Sequence, residues 1–423
     1  GDEGKGRFAD MLAADHDIVA RFNGGANAGH TVVLPDGTDL ALHLMPSGIA
    51  HDHTVNVIGN GTAVDPIKLA EEITGAAEKG IDLDEQRLMI SSGAHLIFPR
   101  HISLDEIREA GTDQQGSTKS GIAHVYSDKA LRVGLRMEAI SNDIHGLREA
   151  VLRGIDATNR ERVRIGLDMI NPLDTTEEYL TAAMSLGKFV TDTALYLGRR
   201  LQAGDRLLAE GAQAFLLDID HGMHPAVTSS STSIGGVFTG LGVGPQYLNR
   251  VLGVSKAVPP HVGGGPFATE IHDAELLTQL HGDMTAIDAE TGTTTGRVRR
   301  LGHLDIPAIR RAQMVNGTTE MAITKLDWVP RYGETALVCV GYERKGKIIS
   351  IAPDAAYKIK QSKPHYAPMP TWQEDISDVR EFGDLPKTAQ EYVEFVEILT
   401  GTPVTMIGVG PRRDQVILRD RAA

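Results

Sequence analysis

Cysteine is almost absent from this chain: Cys339 is the only one in 423 residues. A lone thiol excludes a disulfide framework and a thiolate metal centre, and its setting, Ala336-Leu337-Val338-Cys339-Val340, reads as a buried strand. Basic residues are also in deficit, with 42 Lys and Arg against 56 Asp and Glu, for a formal charge of −14. That balance argues against a binder of nucleic acid or anionic membrane, whose partners demand basic surface. A nucleotide held by a local cluster of Arg and Lys is still allowed. No apolar run approaches the ~20 residues needed to span a bilayer, and no secretory signal is visible, so the cytoplasm is the expected compartment. Repeats, low-complexity tracts and clear linkers are missing as well. So is the Walker A pattern of a P-loop NTPase.

What is present alternates between two periods. Val55-Asn56-Val57-Ile58, Leu207-Leu208-Ala209-Glu210, Val251-Leu252-Gly253-Val254, Met321-Ala322-Ile323-Thr324 and Val404-Thr405-Met406-Ile407 are short apolar runs that suit buried parallel strands. Helical patterns lie between them. Pro66 to Lys79 starts on a first-turn proline, Thr176 to Leu201 reads as one long amphipathic helix, and Asp305 to Val315 places Ile306, Ile309 and Ala312 on one face. In Thr388 to Leu399, Tyr392, Phe395, Val396 and Leu399 fall on one stripe. The expected fold is α/β: a large central, mostly parallel sheet wrapped by helices, with a mainly helical insertion at about 105–205 and smaller subdomains, in a single domain over 1–423.

The chain opens Gly1-Asp2-Glu3-Gly4-Lys5-Gly6, followed by a helical stretch from Arg7 to Ala14. Backbone amides, a lysine and a helix N-terminus are the equipment that docks a phosphate. A phosphate loop normally follows a buried strand, so an anchoring strand is expected upstream of Gly1. Next, Asn23-Gly24-Gly25-Ala26-Asn27-Ala28-Gly29-His30-Thr31 surrounds one imidazole with small residues. Ligands can approach closely there, and a neutral-range pKa suits a proton donor to a leaving phosphate oxygen. Gly292-Thr293-Thr294-Thr295-Gly296-Arg297-Val298-Arg299-Arg300 combines three arginines with hydroxyls, a clamp for carboxylate or phosphate. Glu210-Gly211-Ala212-Gln213 follows a strand signal, where ligand crevices form in open sheets. Beyond it, Asp218, Asp220 and His221 resemble metal ligands, but structural hydrogen bonding explains them at least as well. Thr324-Lys325-Leu326-Asp327 ends another strand with a carboxylate able to read a guanine edge, and Gly408-Val409-Gly410-Pro411 is a tight turn able to flank the same base. On these residues alone the chain is a nucleotide-phosphate enzyme, such as a kinase or GTPase.

Taken in order, the same segments resemble the adenylosuccinate synthetase family over essentially the whole chain. The resemblance implies a GTP-dependent ligase that joins IMP and L-aspartate into adenylosuccinate, the first committed step from IMP to AMP, with GTP as co-substrate and Mg²⁺ as cofactor. It implies that Asp2 is the general base on IMP and, with the Gly29 carbonyl, a Mg²⁺ ligand. His30, Lys5 and Gln213 complete the implied catalytic set. GTP would meet Gly1, Asp2, Glu3, Gly4, Lys5, Gly6, Gly29, His30, Thr31, Arg299, Lys325, Leu326, Asp327, Gly408, Val409 and Gly410. IMP would meet Asp2, Asn27, Ala28, Gly29, His30, Thr118, Gln213, Thr228, Val262 and Arg297, with Arg132 reaching into the neighbouring site of a homodimer. Aspartate would meet Thr293, Thr294, Thr295, Gly296, Arg297 and Arg299.

Several positions depart from the family pattern. Gly116-Ser117-Thr118-Lys119-Ser120-Gly121 stands where many members have Gly-Thr-Thr-Gly-Arg-Gly, with Lys119 one position away from the missing arginine. His124 replaces a usual proline, Val298 interrupts the arginine run, and Pro259-Pro260-His261 replaces a stretch that usually carries Thr-Arg. These changes cluster around the monophosphate and amino-acid sites. They leave two alternatives to the ligase: a family variant acting on another purine monophosphate, and a GTP-binding protein that has lost catalysis.

Overall fold

The computed structural model describes residues 3–33, 37–111, 116–261, 263–286, 289–291 and 298–419. The chain divides into two compact units, one of Lys5–Gln213 with Thr228–Tyr247, the other of Gly1–Gly4, Ala214–Val227 and Leu248–Ala423.

In the first unit five parallel strands lie in the order Val190–Thr191, Leu88–Ser91, Val55–Ile58, Ile18–Arg21 and Leu207–Glu210. The central strand, Ile18-Val19-Ala20-Arg21, is buried along its whole length, as a strand covered on both faces must be. Helix Pro66–Glu78 begins where Asp65 accepts hydrogen bonds from the Ile67 and Lys68 amides, with Pro66 in the first turn. Leu69 of that helix packs with Ile58, Leu88, Leu147, Val151 and Tyr179 in one apolar core.

Helices dominate from Pro99–Ala110 through Ile122–Leu131 and Ile144–Arg164 to Pro172–Leu186. The single helix expected over Thr176 to Leu201 is two. Pro172–Leu186 ends in a 3₁₀ turn, Gly187–Phe189, and a short strand, Val190–Thr191, before Thr193–Gln202 begins. Gly187 and two β-branched residues weaken the helix there, buried Phe189 anchors the break, and the Asp192 carboxylate caps the Leu195 amide to start the next helix.

In the second unit Leu252–Lys256, Glu320–Thr324 and Val404–Gly408 run parallel, and Val416–Leu418 closes the edge antiparallel. A second sheet pairs Thr335–Arg344 with Leu304–Asp305, Lys347–Ile349 and Lys363–Pro370. Cys339 lies fully buried in it, as its apolar run predicts, and burial pushes its thiol up to about 12. Helix Lys387–Thr400 buries Tyr392, Val393 and Val396, and Phe395 and Leu399 pack partly against the same core. Among the described residues no helix is long and apolar enough to cross a membrane.

Candidate active site

The candidate segments with a parallel strand before them sit at its carboxyl end. Asn23 to His30 follows Ile18–Arg21, Gly211 to Gln213 follows Leu207–Glu210, Lys325 to Asp327 follows Glu320–Thr324, and Val409–Gly410 follows Val404–Gly408. In open parallel sheets this is the rim where ligand crevices form, since the loops there are free of the ladder while the strands hold them rigid.

In the first unit, helix Lys5–Ala13 starts at Lys5, two residues earlier than its sequence suggests. Lys5 and Gly6 therefore form its first turn, where backbone amides have no partner within the helix. A Cβ on Gly6 would lie 2.8 Å from the His30 Cβ, so only glycine lets the imidazole pack so tightly onto this helix terminus. His30 bonds through Nδ1 to Oε1 of Glu210, and both side chains are buried. Glu210 also accepts from the Ser47 amide at 2.7 Å and the Ser47 hydroxyl at 2.8 Å.

Burial pushes the Glu210 carboxyl up, but His30, Arg21 and the Ser47 amide outweigh it and hold it down at about 2. Burial also lowers the pKa of His30, against the pull of Glu210. At neutral pH the pair is thus a carboxylate and a neutral imidazole with its hydrogen on Nδ1. Nε2 then carries a lone pair, so the expected proton donor must first take up a proton. Beside this pair, Arg21 is fully buried, in register with Glu210 across the ladder. None of its guanidinium nitrogens has a hydrogen-bond partner among the described residues.

Asn23 staples the two rim loops: its amide donates to the Ala212 carbonyl at 3.1 Å, and the Ala212 amide returns a bond at 2.9 Å. It also reaches the Ser230 hydroxyl at 3.3 Å, in the Thr228 segment. Two candidate IMP residues hold a buried oxygen with no partner among the described residues: Oδ1 of Asn27 and Oε1 of Gln213. Buried amide oxygens are seldom left so, which marks both as waiting for a ligand or water. Gln213 also holds a left-handed backbone, φ +60°, as do Lys119, Arg132, Lys325 and Lys345 among non-glycine residues. Three of these five are candidate site residues, the usual place for such strain. Thr118 donates to the Ser120 hydroxyl at 3.1 Å, and Arg132 is exposed at the end of helix Ile122–Leu131.

In the second unit, the Thr324 hydroxyl donates to the Glu3 carbonyl at 2.9 Å. Gly4, at φ +86°, follows in a conformation that glycine adopts freely. Lys325 lies over the Trp328 ring, 3.2 Å from its centroid, and pairs with Oε1 of Glu290 at 2.6 Å. Lys256 pairs with the same oxygen at 2.5 Å, and Arg299 with Oε2 at 2.8 Å. The Val409 amide donates to the Gln415 carbonyl at 3.0 Å, which sets the turn that holds Gly410.

One sequence expectation changes. Arg300 does not join a clamp with Arg299: it forks onto the Glu270 carboxylate and donates to the Gly263 and Gly265 carbonyls. Each arginine meets its own carboxylate, Glu290 for Arg299 and Glu270 for Arg300, and that separates the two. The Asp218, Asp220 and His221 segment is a turn, in which Asp218 accepts from the Asp220 and His221 amides at 2.9 Å each.

Gly1, Asp2, Val262, Thr293, Thr294, Thr295, Gly296 and Arg297 lie outside the described residues, as does the side chain of Thr31. Four participants escaped the sequence. Arg21 and Lys256 are visible there only as charges that end apolar strands, Glu290 as a lone acid ahead of the threonine run, and Ser47 leaves no signal.

A helix N-terminus beside an imidazole–carboxylate pair in one unit, and a buried cationic cluster in the other, are features of enzymes acting on phosphorylated, anionic substrates. A family model described as adenylosuccinate synthetase matches residues 1–417. The adenylosuccinate synthetase of Bifidobacterium adolescentis is 44% identical over 423 residues, covering 99% of this chain and 96% of the relative. That of Mycobacterium marinum is 42% identical with the same coverage. The structure of fully ligated adenylosuccinate synthetase from Plasmodium falciparum superposes with a TM-score of 0.90 at 35% identity, covering 99% of this chain and 97% of that one. A succinoaminodeoxyadenylate synthetase of cyanophage S-2L shares the fold, with a TM-score of 0.62 at 18% identity. The chain belongs to the adenylosuccinate synthetase family and is a GTP-dependent ligase of purine nucleotide biosynthesis.

Proposed function

We propose that the chain joins IMP and L-aspartate through a phosphorylated purine, with Asp2 taking the N1 proton of IMP. The electrons released onto O6 form a bond to the γ-phosphorus of GTP while the bridging bond to the β-phosphate breaks and GDP departs. The aspartate amine then attacks C6, phosphate leaves with the O6 electrons, and the amine loses a proton. Phosphorylation is what makes the C6 oxygen a leaving group, so the protein's work is positioning and charge stabilisation.

The observation that carries this reading is the His30–Glu210 pair seated on the N-terminal turn of helix Lys5–Ala13. Phosphate charge beside His30 favours protonation of Nε2, which then donates to the oxygen of the departing diphosphate. Glu210 steadies the imidazolium from the other side. Asn27 and Gln213 offer their unpaired amide oxygens to IMP, and Lys325 with Asp327 reads guanine. Magnesium would be held by Asp2, the Gly29 carbonyl and the nucleotide phosphates, and would neutralise charge on the transferred group. Few protein ligands suit that ion, which commonly keeps waters and phosphates as its partners, and the described residues contain no cluster of three or more acidic, His or Cys ligands.

The protein would work in the cytoplasm as a homodimer. Arg132 stands between exposed Leu131 and Val133, 65% and 63% accessible, an apolar setting suited to a subunit interface.

The test is adenylosuccinate formation followed by absorbance with IMP, GTP, aspartate and Mg²⁺. Asp2→Ala should abolish turnover while leaving much of the GTP binding. Near-normal turnover by that variant would overturn the mechanism.

A further inference from the structure

Glu290 has no part in the chemistry just described, yet its buried carboxylate carries three cations. Lys256 and Lys325 share Oε1 at 2.5 and 2.6 Å, and Arg299 takes Oε2 at 2.8 Å. The Glu290 side chain is fully buried, and the cations keep only 5%, 12% and 7% exposure. Three cations thus converge on one buried carboxylate, which fixes their head groups close together.

The backbone ties the same residues together. The Arg299 amide donates to the Glu290 carbonyl at 2.9 Å, and Thr291 bridges antiparallel to Val298. Glu290 and Arg299 thus face each other at the root of the threonine-rich segment. Lys256 and Lys325 come from the carboxyl ends of two neighbouring parallel strands, where Lys256 pairs in register with Thr324.

We propose that Glu290 is the positioning residue that aims Arg299 and Lys325 at the anionic co-substrates of this ligase, the nucleoside triphosphate and the dicarboxylate amino acid. A lysine ammonium has three hydrogens and a guanidinium five. One carboxylate shared by three cations fixes where each head group sits and leaves hydrogens on each for other acceptors. Lys256, assigned to no ligand, supplies the third anchor that keeps Oε1 in place. The inference rests on the reading that Arg299 and Lys325 touch GTP and aspartate.

Glu290→Asp keeps every charge and withdraws the carboxylate by one methylene, so it tests geometry alone. It should raise the KM for GTP and for aspartate at least tenfold each, leave the IMP KM within twofold, and weaken discrimination between GTP and ITP. Glu290→Gln combined with Lys256→Met also keeps the net charge of the chain and should show the same split. Wild-type KM values in both variants would show that Glu290 only balances charge, and lowered values would show that it competes with the ligands. Either result overturns the proposal. Arg299→Ala and Lys325→Ala are the controls. If neither changes a KM for GTP or aspartate, the underlying site reading has failed. If they do and the Glu290 variants do not, only the positioning role has.

Discussion

His30 and Glu210, 180 residues apart in sequence, share one hydrogen bond from imidazole Nδ1 to carboxylate Oε1. Both are buried, and the carboxylate stays ionised because His30, Arg21 and the Ser47 amide overcome the cost of its burial. The orientation of the imidazole follows: Nδ1 is committed to Glu210, and Nε2 is the nitrogen left to meet a substrate oxygen.

Glu210→Gln should therefore impair catalysis more than binding. An amide cannot steady an imidazolium, so protonation of His30 becomes harder at the moment it is needed. We expect kcat to fall roughly 100-fold, within the usual range for a proton-transfer group, while the GTP KM changes by less than about threefold. The pH profile of kcat should also move its His limb downward. An unchanged profile would show that Glu210 serves only packing.

Lys119 occupies a left-handed backbone, φ +55°, at the position where the family pattern has glycine. Lysine is strained there, and glycine would release on the order of 0.5–1 kcal/mol after its greater freedom in the unfolded chain is counted. Lys119→Gly should then unfold at equal or higher temperature than the parent. If Lys119 supplies the charge of the missing arginine, the KM for IMP should rise several-fold, because the loop loses that cation. Lower thermal stability with an unaltered IMP KM would contradict both parts.

His101 makes stability depend on mild acid. Its Nδ1 accepts the Phe98 amide hydrogen at 2.9 Å, and Nε2 donates to Asp128 at 3.0 Å, which fixes a neutral ring. Burial, reinforced by Arg100 and His124, lowers its pKa from 6.5 to about 3. The unfolded chain binds a proton below 6.5 that the folded chain refuses until about 3, so stability is lost as pH falls through that window. From pH 7 to pH 5 this one residue accounts for on the order of 2 kcal/mol. His101→Gln keeps an acceptor for the Phe98 amide and cannot titrate. Denaturant unfolding should show the variant losing that much less on acidification. Asp305, whose carboxyl is raised to about 6 by burial, acts in the opposite sense, but it is common to both proteins and cancels.

Arg132→Leu should raise the KM for IMP far more than that for GTP, because the proposed role of this exposed arginine lies in the partner's monophosphate site. Equal effects on both substrates, or none on IMP, would remove the cross-subunit assignment. Sedimentation of the variant should still show a dimer, since Leu131 and Val133 remain.

Much of the architecture was legible in the chain because it is written locally. The apolar runs Val55-Asn56-Val57-Ile58 and Met321-Ala322-Ile323-Thr324 read as buried strands and are strands, and Pro66 marks the first turn of a helix, whereas the central strand Ile18–Arg21 is not among the strands that the sequence singles out. The break at Gly187–Thr191 was less legible, since a good amphipathic pattern continues across it and the buried Phe189 that anchors it is settled by packing. Arg299 and Arg300 look alike in sequence. They are sorted only by the carboxylates each one meets, Glu290 and Glu270.

By itself the sequence determined the family, several of the strands and helices, and the residue types available for phosphate chemistry, because these depend on short-range periodicity and on motifs a few residues long. Tertiary structure alone decided the partners: that Glu210 holds His30, that Arg21 is buried beside it, and that Glu290 gathers Lys256, Arg299 and Lys325. The reason is physical. A side chain's charge state and aim are set by what the strand order brings within about 3 Å of it, and a hydrogen bond or ion pair at that range leaves no trace in the spacing of the residues that make it.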